Sequence, residues 1–197
     1  MSDINGALIA VGGVIFGAIA TNFLAEDYRR HRDGTALAAA IAGELAGHFG
    51  GAEMLNPALW TLRQKVEAGE LPKMPPRNTS ETVRDLIYEA NAGRIGLLGT
   101  EHARAVAYAY QKIAAFRQGL NVLVDHWNGM DNEERLGRLN SLLVILDDAA
   151  EKGAATITGL EVYASSGNLR GWLRTFALYQ VVATRFHARR QKPPTAF

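Results

Sequence analysis

Glu44 and His48 stand four residues apart. That spacing puts two side chains on one face of a helix. A carboxylate and an imidazole so placed could supply half of a metal site. A di-iron bundle, however, needs Glu-x-x-His pairs on facing helices, and no second pair accompanies this one. The expected reading is a solvated surface pair. His102 and His126 each follow an acidic residue, Glu101 and Asp125. Adjacent residues on a helix point about 100° apart, so neither pair shares a site. HExxH is absent, and so is cysteine, which removes thiolate ligands, disulfides and a thiol nucleophile. Gly93, Gly96 and Gly99 recur every third residue, which matches neither GxGxxG nor a P-loop. Asp147-Asp148 reads as two carboxylates on a polar helix face. The expectation is no catalytic residue, no metal and no cofactor.

Arg117 is the oddity. Positions 103, 106, 110, 113, 117, 120, 124 and 127 alternate in steps of three and four, as a heptad seam does. They carry Ala, Val, Tyr, Ile, Arg, Leu, Val and Trp. Either the buried stripe rotates onto Phe116 and Leu123 and leaves Arg117 at its edge, or Arg117 is a buried charge. A buried charge needs a carboxylate, for which Asp147 and Asp148 are at hand.

The elements that would carry these residues are helices throughout. Alternating β-branched runs with hairpin dipeptides are absent. The run from Ile4 to Ala25 has no charged residue. Its length is about that of a bilayer core, which needs about 20 apolar residues. Gly13, Gly17 and Thr21 follow a small-xxx-small spacing that lets two helices pack closely. A signal peptide is disfavoured, because no positive residue precedes the run and the run is too long. Arg29, Arg30 and Arg32 follow it directly, with Tyr28 where an interfacial aromatic would sit. By the positive-inside rule the N-terminus lies outside and the bulk in the cytoplasm.

Beyond it, Leu37, Ile41, Leu45 and Phe49 mark a helix that Gly50-Gly51 should end. Asn56-Pro57 looks like an N-cap with Pro at the first helical position. The stretch ELPKMPPRN, residues 70 to 78, is the clear linker. A short helix from Ser80 to Ala92, the turn RIGLLG and a long helix from Thr100 to Asn128 follow. Asp131 with Glu134 has capping-box spacing. A further helix runs to Leu160 with Gly153 or Gly159 as a kink, and a last one covers about 169 to 188. The predicted fold class is all-α: an N-terminal transmembrane helix followed by a cytoplasmic bundle of about five or six helices. The segments are an anchor (1–27), a juxtamembrane helical segment (28–69), a Pro-rich linker (70–79), a bundle (80–188) and a basic tail (189–197).

Formal net charge is +1, so bulk charge does not argue for nucleic acid. Two basic clusters could meet anionic headgroups: Tyr28, Arg29, Arg30 and Arg32 beside the apolar run, and Arg185, Arg189, Arg190 and Lys192 near the C-terminus. Arg outnumbers Lys by 16 to 5, a bias common in GC-rich bacterial genomes.

At DLIYEANAGRIGLLGTEHARAVAYAYQKI, residues 85 to 113, the chain resembles uncharacterised bacterial and phage-associated single-pass membrane proteins. The matching positions are Ile95, Gly96, Leu97 and Leu98, then Tyr108 and Tyr110. The resemblance implies an N-terminal anchor and a helical cytoplasmic region in a bacterial inner membrane, and carries over no active site. The residues themselves agree with it. Gly96 and Gly99 would permit a tight reversal, and a buried Tyr110 would need a hydrogen-bond partner. The expected function is a membrane-anchored, non-enzymatic interaction or assembly module. Its partners would be membrane lipid, a second copy of itself or an unidentified cytoplasmic protein. The alternative is a phage or genomic-island effector that perturbs the envelope or excludes infection.

Overall fold

The computed structural model describes residues 2–74, 84–167 and 171–173, and for residues 2–13, 15, 16, 19 and 20 the backbone alone. The described chain is all-α. It holds α1 (Ser2–Glu67), α2 (Leu86–Asn91), α3 (Gly99–His126) and α4 (Asn132–Ser165), with 3-10 turns at Ala92–Leu98 and Trp127–Gly129. Residues 171–173 are also helical. Among the described residues there are four α-helices, where five or six plus an anchor were expected.

No helix among the described residues is long and apolar enough to cross a membrane. The transmembrane helix expected over residues 1–27 and the inner-membrane location with the N-terminus outside are both overturned by this finding. The uncharged run is only the first part of a longer helix. The helix continues as one element through Glu26, Asp27, Arg29 and Arg30 to Glu67.

The expected breaks inside this helix do not occur either. Gly50-Gly51 and Asn56-Pro57 are both interior. Proline in a helix interior removes a hydrogen bond and costs about 3 kcal/mol. Continuation offsets that by burying Leu59 and Val66 on the same face. The Thr61 hydroxyl donates to the Pro57 carbonyl one turn back, at 2.9 Å. Likewise α4 passes through Gly153 and Gly159 without a break. Gly153 is buried, and a Cβ added there would collide with the Phe49 ring. Close packing, not a kink, is its role.

The chain divides into two compact units, residues 37–163 and residues 1–36 with 164–197. The larger unit is a three-helix bundle. Arg63 reaches Asn140 at 2.7 Å and Phe49 lies on Gly153, so α1 and α4 run antiparallel. Glu44 meets Tyr110 and His48 meets Arg117, so α1 and α3 run parallel. Tyr108 meets Asp148 and Gly119 meets Leu142, so α3 and α4 run antiparallel. Gly119 has no Cβ where Leu142 approaches to 2.9 Å of the position one would take.

One end of the bundle is an apolar core: Leu59, Val66, Leu123, Trp127, Leu139, Leu142 and Leu143. The other end buries Leu37, Ile41, Leu45, Leu98, Val106 and Leu160. On α3 the buried stripe includes Leu123, with Val124 only half-buried. The seam is kept at Val106, Tyr110 and Trp127 and shifts by one residue at Leu123. At Gly99 the chain turns with φ +77°, which a side chain would strain. Gly96 has no such conformation, so the reversal rests on one glycine rather than two.

In the smaller unit, Trp172 donates its indole N–H to Asp27 at 2.8 Å and meets Tyr28 edge-on, with ring centroids 5.7 Å apart. His31 Nε2 lies 2.9 Å from the Ser166 carbonyl.

Candidate functional site

The middle of the three-helix bundle differs from both ends. There Glu44 and His48, one turn apart on α1, meet residues of α3 and the segment leading into α2. The Glu44 carboxylate accepts the backbone N–H of Ile87 at 2.8 Å and of Tyr88 at 3.0 Å. These are orphan donors of the first turn of α2. Asp85, the N-cap residue by position, makes no side-chain cap hydrogen bond. A carboxylate from another helix therefore caps α2, and complements its positive end. Glu44 also accepts the Tyr110 hydroxyl at 2.5 Å. Burial first, and then this bond to a carboxylate, hold the Tyr110 hydroxyl well above the ordinary phenol range. Tyr88 stacks on Tyr110 with centroids 3.8 Å apart.

Freed from capping, Asp85 turns to Arg117. Arg117 Nη1 donates to Asp85 Oδ2 at 2.9 Å, and Nη2 lies 3.3 Å from His48 Nδ1. A guanidinium only donates, so Nδ1 accepts and the ring proton is assigned to Nε2. That Nε2 lies 2.9 Å from Asp85 Oδ1, yet both atoms are buried without a well-directed hydrogen bond. The contact has the distance of an ion pair and not the alignment of a hydrogen bond. Buried polar atoms left in this state are uncommon.

A second cluster flanks the first. Asp148 of α4 accepts the Tyr108 hydroxyl at 2.5 Å and pairs with Lys152 at 2.5 Å and Lys112 at 2.9 Å. The bonds from Lys152, Tyr108 and Lys112 hold the Asp148 carboxyl below the usual carboxylate range. Bonding to Asp148 raises both lysines. The two ammonium groups also lie over the Tyr108 ring, at 5.1 and 4.8 Å from its centroid.

Between the clusters lies a cavity of about 340 Å³. Ala52 and Leu55 of α1, Ile113 and Phe116 of α3, and Leu146 and Ala149 of α4 line it. The ionisable side chains on its wall are His48, Lys112 and Arg117.

The pair Glu44 and His48 is thus not a solvated surface pair. Arg117 does have a carboxylate, but from Asp85 rather than from Asp147 or Asp148. Asp148 is spent on Tyr108 and two lysines. Among the described residues no group of three or more His, Cys, Asp or Glu side chains could hold a metal. His102 packs its ring beside Tyr163, with centroids 5.4 Å apart.

The other residues singled out by sequence fare variously. Thr21 donates its hydroxyl to the Gly17 carbonyl at 2.7 Å, and a Cβ at Gly17 would meet nothing. The surroundings of Gly13 lie outside the described residues. Tyr28 packs on Trp172, Arg29 and Arg30 both pair with Glu26, and the Arg32 carbonyl accepts the Thr35 hydroxyl. Arg185, Arg189, Arg190 and Lys192 lie outside the described residues.

Sequence reasoning missed Asp85, Lys112 and Lys152. Two signals could have found them. Tyr108–Lys112 and Asp148–Lys152 are i,i+4 pairs, and an Asp before the apolar run LIY is an N-cap signature, which marks Asp85 although Glu44 takes the capping role.

A third feature was also legible and missed. Gly43, Gly47, Gly50, Met54, Pro57 and Thr61 alternate in steps of four and three, and all are exposed. A Cβ added at Gly43, Gly47 or Gly50 would meet nothing within 4 Å. No family model, curated protein or solved structure matches the chain, so its function is read from this geometry.

Proposed function

We propose that the chain is a non-enzymatic assembly module that associates with a second copy through the outward face of α1. One observation carries this reading: the exposed, uncharged seam Gly43, Gly47, Gly50 and Met54. The solvent face of a helix is ordinarily charged or polar. Each glycine in a helix interior lowers stability by about 1 kcal/mol relative to alanine. Among the described residues nothing lies within 4 Å of a Cβ at these glycines. Small residues at seam spacing let another helix backbone approach closely, and Met54, 81% exposed, is an adaptable apolar contact. The polar middle of the bundle supports a structural role over a catalytic one, because its ionisable groups bind one another or backbone. The envelope-perturbing alternative drew on a glycine-rich membrane helix and loses that support.

Sedimentation equilibrium of the full chain tests the reading. The expected result is a dimer at micromolar concentration and a monomer for Gly47→Glu. Glutamate favours helix more than glycine by up to about 1 kcal/mol, so the variant should melt no lower than the parent monomer. A monomeric parent, or a dimer unchanged by Gly47→Glu, would overturn it.

A further inference from the structure

We infer that the cavity in the middle of the bundle is a binding site for an amphipathic monocarboxylate, a medium-chain fatty acid being the class that fits. The inference does not rest on the assembly reading, although Gly47 of that seam also lines the cavity.

Shape is the first argument. At about 340 Å³ the cavity lies at the small end of the range of roughly 300–1,000 Å³ typical of small-molecule sites. All three helices contribute apolar wall, with Phe49 and Leu55, Ile113 and Phe116, and Ile145 and Leu146 among the large side chains. Alanine stands at 52 and 149, where larger residues would fill the space. A core with only a packing role should have closed over it, as the Leu123–Trp127–Leu139 end has.

Charge is the second argument. The charged side chains on the wall are Lys112 and Arg117, and no carboxylate lines it. Lys112 keeps ammonium donors beyond its bond to Asp148, and Arg117 keeps guanidinium donors beyond those facing Asp85 and His48. Asp85 and Asp148 hold the two cations in place from outside the cavity. An apolar chain entering the cavity would bring its carboxylate to fixed cations at the edge. Such charge-assisted bonds add orientation as well as affinity. A neutral ligand would leave those donors unused, and a cationic one would face two like charges.

Isothermal titration calorimetry of the full chain tests the site, with decanoate as the probe and decanol and acetate as controls. Decanoate should bind one per chain and saturate below its micellar concentration. Decanol should bind about tenfold more weakly or less, the equivalent of losing one charge-assisted bond. Acetate should give no heat of binding. Ala149→Leu and Ala52→Leu fill the cavity from α4 and α1, and each should abolish decanoate binding with the helical circular dichroism retained. Lys112→Met should bring decanoate down to the affinity of decanol. Equal binding of decanol and decanoate to the parent chain would overturn the inference, and so would decanoate binding that survives both filling variants. If decanoate fails to bind and Ala52→Leu raises the melting temperature, the cavity is a packing defect. If either filling variant dissociates an oligomer instead, a second copy occupies it. Both results also overturn the inference.

Discussion

The bundle of residues 37–163 holds two regions built from the same three helices by different means. Around Trp127 the space is filled. Trp127 is 1% exposed, its indole N–H is satisfied by the Pro72 carbonyl at 2.9 Å, and Leu123, Leu139 and Leu142 close around it. Even the one charge there is settled. Arg135 is buried, donates to the Trp127 carbonyl at 3.0 Å and to Asn132 at 2.8 Å, and lies over the indole ring. In the middle of the bundle the helices meet through Glu44, Asp85, Tyr110 and Arg117, two buried polar atoms lack a directed partner, and a cavity stays open. The contrast separates two tasks. The filled end supplies cooperative stability, and the middle fixes register and holds α2 in place.

The largest effect should come from the filled end. Trp127→Ala removes a fully buried side chain, a hydrogen bond and the platform under Arg135, and should cost about 3–5 kcal/mol in urea unfolding. A loss near that of an exposed residue would abolish the contrast.

In the middle, Asp85→Leu leaves Arg117 and His48 facing no carboxylate and should cost about 1–3 kcal/mol. Arg117→Leu alone should cost a similar amount. The double variant should recover part of the sum, because removing both partners spares the unpaired group. Strict additivity would show that the pair does not set the register.

The smallest effect concerns pH. The Asp148 carboxyl is held below its ordinary value in the folded chain. In the unfolded chain it titrates near about 3.9. Its contribution is complete above that value and is lost as pH falls toward the folded one, because the unfolded state then binds the proton first. The stability advantage of the parent over Asp148→Asn should therefore shrink below about pH 4. An advantage that persists unchanged would show that Tyr108 and the lysines do not need the charge.

Much of the filled end was legible in the sequence. The stripes through Leu139, Leu143 and Leu146, and through Leu59 and Val66, follow from helical period, and Asp131 does accept the Glu134 N–H at 2.8 Å as its spacing implies. The middle was not legible, because its contacts join residues 44, 85 and 117, and helical spacing relates only neighbours in sequence. Glu44 caps a helix more than forty residues away. Local breakers misled in the other direction: Gly50-Gly51 and Pro57 read as ends, and tertiary packing of Phe49 and Leu59 carried the helix through them. The N-terminal run misled because it was read as an element by itself, whereas it is the start of a helix that continues through charged residues to Glu67.

The most direct measurement of the central claim uses the absence of cysteine. A single Gly50→Cys variant of the full chain is oxidised at micromolar concentration, with Val144→Cys on the exposed side of α4 as the reference. Two helices in close contact along the α1 seam bring paired Cα atoms within the roughly 4.4–6.8 Å that a disulfide spans. The account predicts a disulfide-linked dimer for Gly50→Cys and little or none for Val144→Cys. Cross-linking at Val144 with none at Gly50 would contradict it.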